Sequence, residues 1–384
     1  MIRASILTLQ LASLVSAGPL CAAQPPLAEG KRTTASVQAV APAAPSARPS
    51  AQASRPRVRL LATGGTISNR TGGRLSSDEL LASIPRLSDY VRAEHEQFSN
   101  VSSSELTLQQ YLGLSRRIAA LFRDDPDLAG VVVTSGTDTL EELAYFLHLT
   151  VRDDRPVVVV GSMRNPSTLG YEGAANLLAG FRVAADPASR GLGTLVVLND
   201  EINSARDATK TDALRLQTFQ SRGVGLLGVV DADRVVYYRK PVRRAGATSE
   251  FDVRAVERLP RVDVLLVYQD APGDLMKAAV DAGAQGLVMA TAGAGATSGT
   301  QNEGITYAAD QGVFVVRSTR TGGGRVADGR GFVPPGGLSQ DEQRRRRMLV
   351  AAEDLTPVKA RILLMLGLTR TKDRDVLQRY FLEY

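Results

Sequence analysis

Residues 130–150 read GVVVTSGTDTLEELAYFLHLT, in which an unbroken apolar run meets a polar loop and then a helical pattern. Continuous Val-rich runs without polar alternation are typical of strands that are buried on both faces of a sheet. Two similar runs, PVVVVG and GTLVVLN, occupy 156–161 and 193–199. Helical patterns at 137–150 and 172–184 separate the three runs. This alternation predicts a doubly wound, mostly parallel sheet with helices on both faces.

The pattern continues toward both ends of the chain. A short strand is predicted at 57–62, and residues 229–240 (VVDADRVVYYRK) predict a β-hairpin with its turn at Ala232 and Asp233. A second set of α/β elements follows. We therefore predict an α/β protein with a large catalytic domain at 57–238, an interdomain linker at 239–259 and a smaller C-terminal α/β domain at 260–384. The further elements predicted are helices at 75–84, 108–122, 274–282 and 357–368 and strands at 262–268, 286–291 and 312–318.

A long Gly-rich segment lies between Gly322 and Ala352 and contains four consecutive arginines, Arg344 to Arg347. A loop of this length in a compact body is usually functional or mobile. The arginine run itself is more typical of a solvated helix face than of a binding patch.

The N-terminal end predicts export. Residues 1–23 combine an early positive charge, an apolar middle and small residues at the end, which is the pattern of a signal peptide cleaved after Ala23. A membrane anchor is the alternative, but the run is shorter than the ~20 apolar residues that a span needs. A lipoprotein acylated at Cys21 is a second alternative. Leu20, just before Cys21, is too large for the small-residue context that lipoproteins usually have. Residues 24–56, rich in Ala, Pro and Ser, predict a disordered linker.

Composition excludes several classes of protein. The 384 residues are 43% apolar and 22% charged, which rules out general disorder, collagen and a disulfide scaffold. The 46 basic and 40 acidic residues are spread along the chain, and Trp is absent, so we expect no nucleic-acid partner. Cys21 is the one cysteine, so the mature chain would have no disulfide. These features fit a periplasmic enzyme that has no membrane contact after signal removal.

Three strands are followed by polar loops, and in parallel sheets ligands bind beyond the carboxyl ends of the strands. The first loop, ATGGTI at 62–67, places Thr66 after two glycines that permit close backbone approach. The structural alternative for this loop is a tight turn in which Thr caps the following helix. No GK[ST] or GxGxxG pattern follows, which disfavours a phosphate loop.

The second loop, TSGTDTLEE at 134–142, carries Thr137 and Asp138. The structural alternative is a capping box formed by Asp138 and Glu141, but a cap would need only one of the polar residues of this loop. The third loop ends at Lys210, one of six lysines in the chain. It is either an exposed loop residue or a partly buried amine near Thr137 and Asp138. A desolvated Lys is easily shifted toward the neutral base that a hydroxyl nucleophile needs.

Together the loops supply two hydroxyls, a carboxylate and an amine, which indicates acyl transfer by Thr with Lys as the base. The two histidines, His95 and His148, lie singly in helical contexts. We therefore expect no metal, no cofactor and no His-based triad.

Five strings closely resemble the bacterial exported L-asparaginase and glutaminase-asparaginase family. They are LLATGGTI at 60–67, TSGTDTLEELAYFLHLT at 134–150, VVGSMR at 159–164, RDATK at 206–210 and TPVKARILLMLGLTRTKD at 356–373. The resemblance implies a homotetramer and the hydrolysis of the small molecule L-asparagine to L-aspartate and ammonia, sometimes with L-glutamine as a second substrate.

The resemblance also implies roles for individual residues. Thr66 is similar to the nucleophile, and Thr137, Asp138 and Lys210 resemble a second triad. Asp138 would also bind the α-amino group of the substrate. The remaining positions that would line the substrate pocket are Gly65, Ser103, Ser104, Gly136 and Ser162, with Ser103 placed where the family binds the α-carboxylate.

The chain departs from the family pattern at several positions. Residues 67–89 contain no Tyr, where the family has one that helps to activate the nucleophile. Ser135 replaces a common His, Ser104 replaces a longer polar side chain, and Asp270 replaces an uncharged residue near a neighbouring subunit. These changes leave open a periplasmic binding protein for amino-acid amides that lacks turnover, or a broad glutaminase-asparaginase.

Overall fold

The apolar runs of the sequence form the centre of two β-sheets. The computed structural model describes residues 55–329 and 337–384, so the predicted signal peptide and nearly all of the predicted disordered linker lie outside the described residues. The strands are β1 Arg57–Gly64, β2 Asn69–Arg70, β3 Gly73–Arg74, β4 Arg92–Val101, β5 Leu128–Thr134, β6 Val157–Val160, β7 Thr194–Leu198, β8 Glu201–Ser204, β9 Thr209–Lys210, β10 Phe219–Gln220, β11 Gly228–Val230, β12 Val235–Tyr237, β13 Val262–Leu266, β14 Gly286–Thr291, β15 Phe314–Thr319 and β16 Leu349–Ala351.

The helices cover both sheets. They are α1 Ser77–Ala82, α2 Leu108–Asp124, α3 Leu140–Thr150, α4 Gly173–Ala185, α5 Asp274–Asp281, α6 Gln301–Asp310, α7 Gln340–Arg346, α8 Pro357–Leu368 and α9 Arg374–Glu383. Among the described residues, no helix is long and apolar enough to span a bilayer.

The large sheet has the strand order β12-β11-β8-β7-β6-β5-β1-β4. Strand β1 pairs in parallel with both β4 and β5, and β5, β6 and β7 continue the parallel part. The chain leaves β1 for β4 on one side and then returns to β5 on the other side. Such a reversal opens a crevice beyond the carboxyl ends of β1 and β5, which is where open α/β sheets bind ligands. The loops that follow β1 and β5 are the two that carry Thr66 and Thr137.

The smaller C-terminal sheet is parallel, with the order β13-β14-β15-β16. Helix α8 packs on this sheet and also against α3 of the large domain. The largest buried cluster accordingly contains residues of both parts, such as Phe146 and Leu364. Phe251 and Val253, from the region predicted to be a linker, belong to the same cluster. The predicted fold class, a large and a smaller α/β domain, is confirmed.

Two sequence interpretations are wrong. His95 does not lie in a helical context but in β4, a strand at the edge of the sheet with a polar, partly exposed sequence. The segment from 322 to 352 is not one long loop, because it contains α7 and β16. Ser339 caps the start of α7: its Oγ accepts a hydrogen bond from the Glu342 amide, and the Glu342 carboxylate accepts one from the Ser339 amide. Three of the four consecutive arginines lie in this helix, as predicted.

The second histidine makes stability depend on pH. His148 in α3 is 1% exposed, and burial lowers its pKa from 6.5 to about 4. In the unfolded chain the imidazole takes up a proton near pH 6.5, whereas the folded protein resists protonation until about pH 4. The buried ring therefore contributes stability above pH 6.5 that is lost as the pH falls toward 4.

We expect this loss to reach about 2 kcal/mol of unfolding free energy for the wild type between pH 7 and 4.5. Urea unfolding between pH 7 and 4.5 measures it. The variant His148→Gln should lack this part of the pH dependence, and parallel curves for the two proteins would contradict the assignment to His148.

Candidate active site

The turn after β1 is held in a shape that requires glycine. Gly64 and Gly65 have φ values of +103° and +87°, a region that L side chains rarely adopt. The amide of Gly65 donates to Val101 O at 2.9 Å, and Ser68 N and Asn69 N donate back to Gly65 O and Thr66 O at 3.1 Å each. The turn therefore presents Thr66, which is partly buried, beyond the carboxyl end of β1.

The turns after β1 and β5 touch through their backbones. A Cβ atom on Gly65 would lie 2.1 Å from Gly136 N, so these two residues are in direct contact. One residue pair deeper, Thr63 N donates to Thr134 Oγ1 at 3.1 Å and Thr63 Oγ1 donates to Thr134 O at 2.6 Å. The loops that carry Thr66 and Thr137 are thereby fixed to each other.

Lys210 reaches the second loop from β9. Its Nζ donates to Thr137 Oγ1 at 3.0 Å and to Asp138 Oδ1 at 2.7 Å. The Lys210 side chain is 15% exposed and the Asp138 side chain 75% exposed. An amine, a hydroxyl and a carboxylate that are distant in sequence thus lie in direct contact, with the carboxylate facing solvent, where a soluble ligand arrives.

The structural alternative, a capping box formed by Asp138 and Glu141, is wrong. Helix α3 begins after Thr139 without a side-chain cap, and Asp138 pairs with Lys210 instead. Glu141 points toward β9, where its carboxylate accepts from Thr209 Oγ1 at 2.7 Å and from Lys210 N at 3.3 Å. Both acids are therefore used to arrange the neighbourhood of Lys210.

The other predicted site residues lie around the same loops. Ser103 is buried against Gly136, and its Oγ and O accept from Thr139 N at 3.4 Å and Thr139 Oγ1 at 2.9 Å. Ser104 is exposed. Ser162 is fully buried after β6, where its hydroxyl donates to Arg164 O at 2.6 Å.

Two residues that contact this region were not predicted. Tyr171 donates a hydrogen bond to Ile67 O at 2.8 Å, so it supports the turn immediately beyond Thr66, and burial raises its pKa. Glu172 accepts from the amides of Met163 and Arg164 and so shapes the loop after Ser162. Both residues follow β6, another strand with its carboxyl end at the crevice, which is the signal that could have identified them.

Two family models match the chain over most of its length. "Asparaginase, N-terminal" matches residues 57–243, and "Glutaminase/Asparaginase C-terminal domain" matches residues 261–381. L-asparaginase 2 of Bacillus subtilis (strain 168) is 39% identical over 374 residues, 95% of this chain and 95% of the relative.

A second relative, the probable L-asparaginase periplasmic of Haemophilus influenzae, is 36% identical over 340 residues, 86% of this chain and 93% of the relative. The crystal structure of a probable cytoplasmic L-asparaginase from Campylobacter jejuni superimposes with a TM-score of 0.79 at 35% identity, covering 86% of this chain and 100% of that one. The similarity therefore includes both sheets and the crevice.

Proposed function

The chain belongs to the asparaginase family, and from this membership and the crevice geometry we infer that it hydrolyses L-asparagine to L-aspartate and ammonia. The observation that carries the inference is the contact of Lys210 Nζ with Thr137 Oγ1 and Asp138 Oδ1 at the carboxyl edge of the parallel sheet. A binding protein without turnover has no need of an amine held against a hydroxyl.

In the proposed mechanism Thr66 is the nucleophile. Lys210 acts as the base that takes up the proton of the Thr66 hydroxyl by way of Thr137, and the Thr66 oxygen attacks the side-chain amide carbon of asparagine. Backbone N–H groups of the turns after β1 and β5 stabilise the oxyanion, apart from that of Gly65, which donates to Val101 O. The C–N bond breaks, ammonia leaves with the transferred proton, and water then hydrolyses the β-aspartyl ester to release aspartate and regenerate the hydroxyl.

Substrate binding uses the charged ends of the amino acid. Asp138 is a carboxylate that faces solvent and pairs with the α-amino group of the substrate. The Ser103 hydroxyl, which accepts from Thr139 N, has a proton to donate to the α-carboxylate. Ser104 and the backbone at Ser162 complete the lining.

The decisive experiment measures ammonia release from asparagine and glutamine by the purified chain. We expect turnover of asparagine with stoichiometric aspartate, and the ratio of kcat/KM for the two amides defines any glutaminase activity. Asparagine binding detected by calorimetry without ammonia release would favour the binding protein instead.

Self-association as a homotetramer is part of the proposal. An apolar surface formed by Val264, Leu266, Tyr268 and Leu275 lies on and beside β13, the edge strand of the small sheet, with exposures of 36%, 54%, 45% and 59%. Exposed apolar surface of this kind marks contact with other proteins. Light scattering should give four times the chain mass, and Leu266→Lys should lower it.

Export to the periplasm rests on the sequence of residues 1–23. One relative is named periplasmic and the structural neighbour cytoplasmic, so location does not follow from the family. N-terminal sequencing of the protein recovered from the periplasm should begin at Gln24.

A further inference from the structure

A second lysine is buried behind Lys210. Lys359 in α8 is 1% exposed, and its Nζ donates to Arg206 O at 2.8 Å and to Ala208 O at 2.5 Å. These two carbonyls belong to the segment that runs directly into β9. A side chain of the C-terminal part of the chain therefore holds the backbone that carries Lys210.

Glu141 connects the two lysines. Its Oε2 lies 3.8 Å from Lys359 Nζ, while the same carboxylate accepts from Thr209 Oγ1 and from Lys210 N. The Glu141 side chain is 12% exposed. The ammonium group of Lys359 thus contacts the same carboxylate that binds β9, the strand of Lys210.

A buried charge is costly, so it is retained where its partners are arranged for it. Burial lowers the pKa of Lys359 to about 8, and the nearby Glu141 carboxylate opposes that shift. An apolar side chain at this position would fill the space but would leave two carbonyls without this donor. The polar contacts define a position for the segment, which packing against an apolar side chain would not do.

We propose that Lys359 and Glu141 are positioning residues that hold β9 so that the Lys210 amine stays in contact with Thr137. This role rests on the proposed function, in which Lys210 is the base. Arg206 adds to the same anchor, because its guanidinium pairs with Asp354 at 2.6 Å and donates to Tyr384 O at 3.0 Å. The C-terminal part of the chain thereby helps to position the proposed base.

The test uses two variants that leave Lys210 in place. Lys359→Met removes the amine at similar volume. Thr209→Val removes the hydroxyl that donates to the Glu141 carboxylate and keeps the ion pair between Glu141 and Lys359. Displacement of a catalytic group by about 1 Å can cost ~10²-fold in rate. We expect Lys359→Met to lower kcat by about 10- to 100-fold and Thr209→Val by a smaller factor, with KM for asparagine changed by less than about threefold.

Matched controls come from the neighbouring pair between the same helices. Arg361 Nη1 lies 3.6 Å from Glu142 Oε2, and Arg361 Nε donates to Val262 O at 2.9 Å. This pair joins α8 to α3 but makes no contact with β9 among the bonds of the described residues. Arg361→Met and Glu142→Gln should therefore keep near wild-type kcat, even if they lower the unfolding temperature.

The background lacking Lys210 separates positioning from a general structural role. If Lys359 acts through Lys210, Lys359→Met should not lower the residual rate of Lys210→Ala further, whereas damage to the fold would. A further loss of rate in the double variant overturns the positioning role alone. Normal kcat in both Lys359→Met and Thr209→Val, when Lys210→Ala is defective, does the same. An unimpaired Lys210→Ala removes the proposed mechanism and the positioning role together.

Discussion

Lys210→Ala is expected to lower kcat for asparagine by about 10²–10⁴-fold, the usual contribution of a positioned acid or base. The variant removes the amine that contacts Thr137 at 3.0 Å and Asp138 at 2.7 Å. Because the proposed role of the amine is proton transfer and not binding, KM should change much less than kcat. Initial rates of ammonia release over a range of asparagine concentrations measure both constants.

Lys240→Ala is the matched control for this prediction, since Lys240 is exposed and lies outside the crevice loops. Its kcat should equal that of the wild type. Circular dichroism and urea unfolding must show that Lys210→Ala is folded. A folded Lys210→Ala protein with near wild-type turnover would show that another group serves as the base.

The alternating apolar runs predicted the central part of the fold well, because strands buried on both faces contain little but Val, Ile and Leu. Strand β4 was not predicted because it lies at the sheet edge, where its partly exposed residues, RAEHEQFSNV, carry no apolar pattern. Its neighbour β1 supplies the pairing that makes it a strand. That pairing links residues about 35 positions apart, which local sequence patterns do not encode.

The grouping of the candidate site's loops could be predicted from the order of strands and loops, but the partners of individual side chains could not. Loops at the carboxyl ends of parallel strands meet in space, so Thr66, Thr137, Asp138 and Lys210 could be grouped from sequence. The hydrogen-bond partners of Asp138 and Glu141 could not be predicted, because a capping box is a local pattern. Glu141 instead accepts from Thr209, 68 residues later in the chain. Lys359, more distant still, reads in sequence as an ordinary helix residue.

Gly65→Ala is expected to have the second large effect, through the contact of the two turns. A Cβ atom at residue 65 would lie 2.1 Å from Gly136 N and 2.3 Å from Gly136 Cα, a separation that real Cβ atoms do not show. Since both neighbours are backbone atoms, no side chain can rotate away, and the turns must separate by an ångström or more. Misplacement on this scale is expected to cost about 10²-fold or more in kcat/KM.

Backbone strain must be separated from this contact, and Gly72 permits that separation. Its φ is +84°, close to the +87° of Gly65, but a Cβ atom there would meet nothing within 4 Å. Ala in the left-handed region costs roughly 1–2 kcal/mol at either position, so Gly72→Ala should lose that stability and keep its activity. Gly65→Ala should lose about 1–3 kcal/mol more from overpacking, together with the fall in kcat/KM. Equal stability and activity in the two variants would mean that the turns move apart without consequence, and that catalysis does not depend on the Gly65–Gly136 contact.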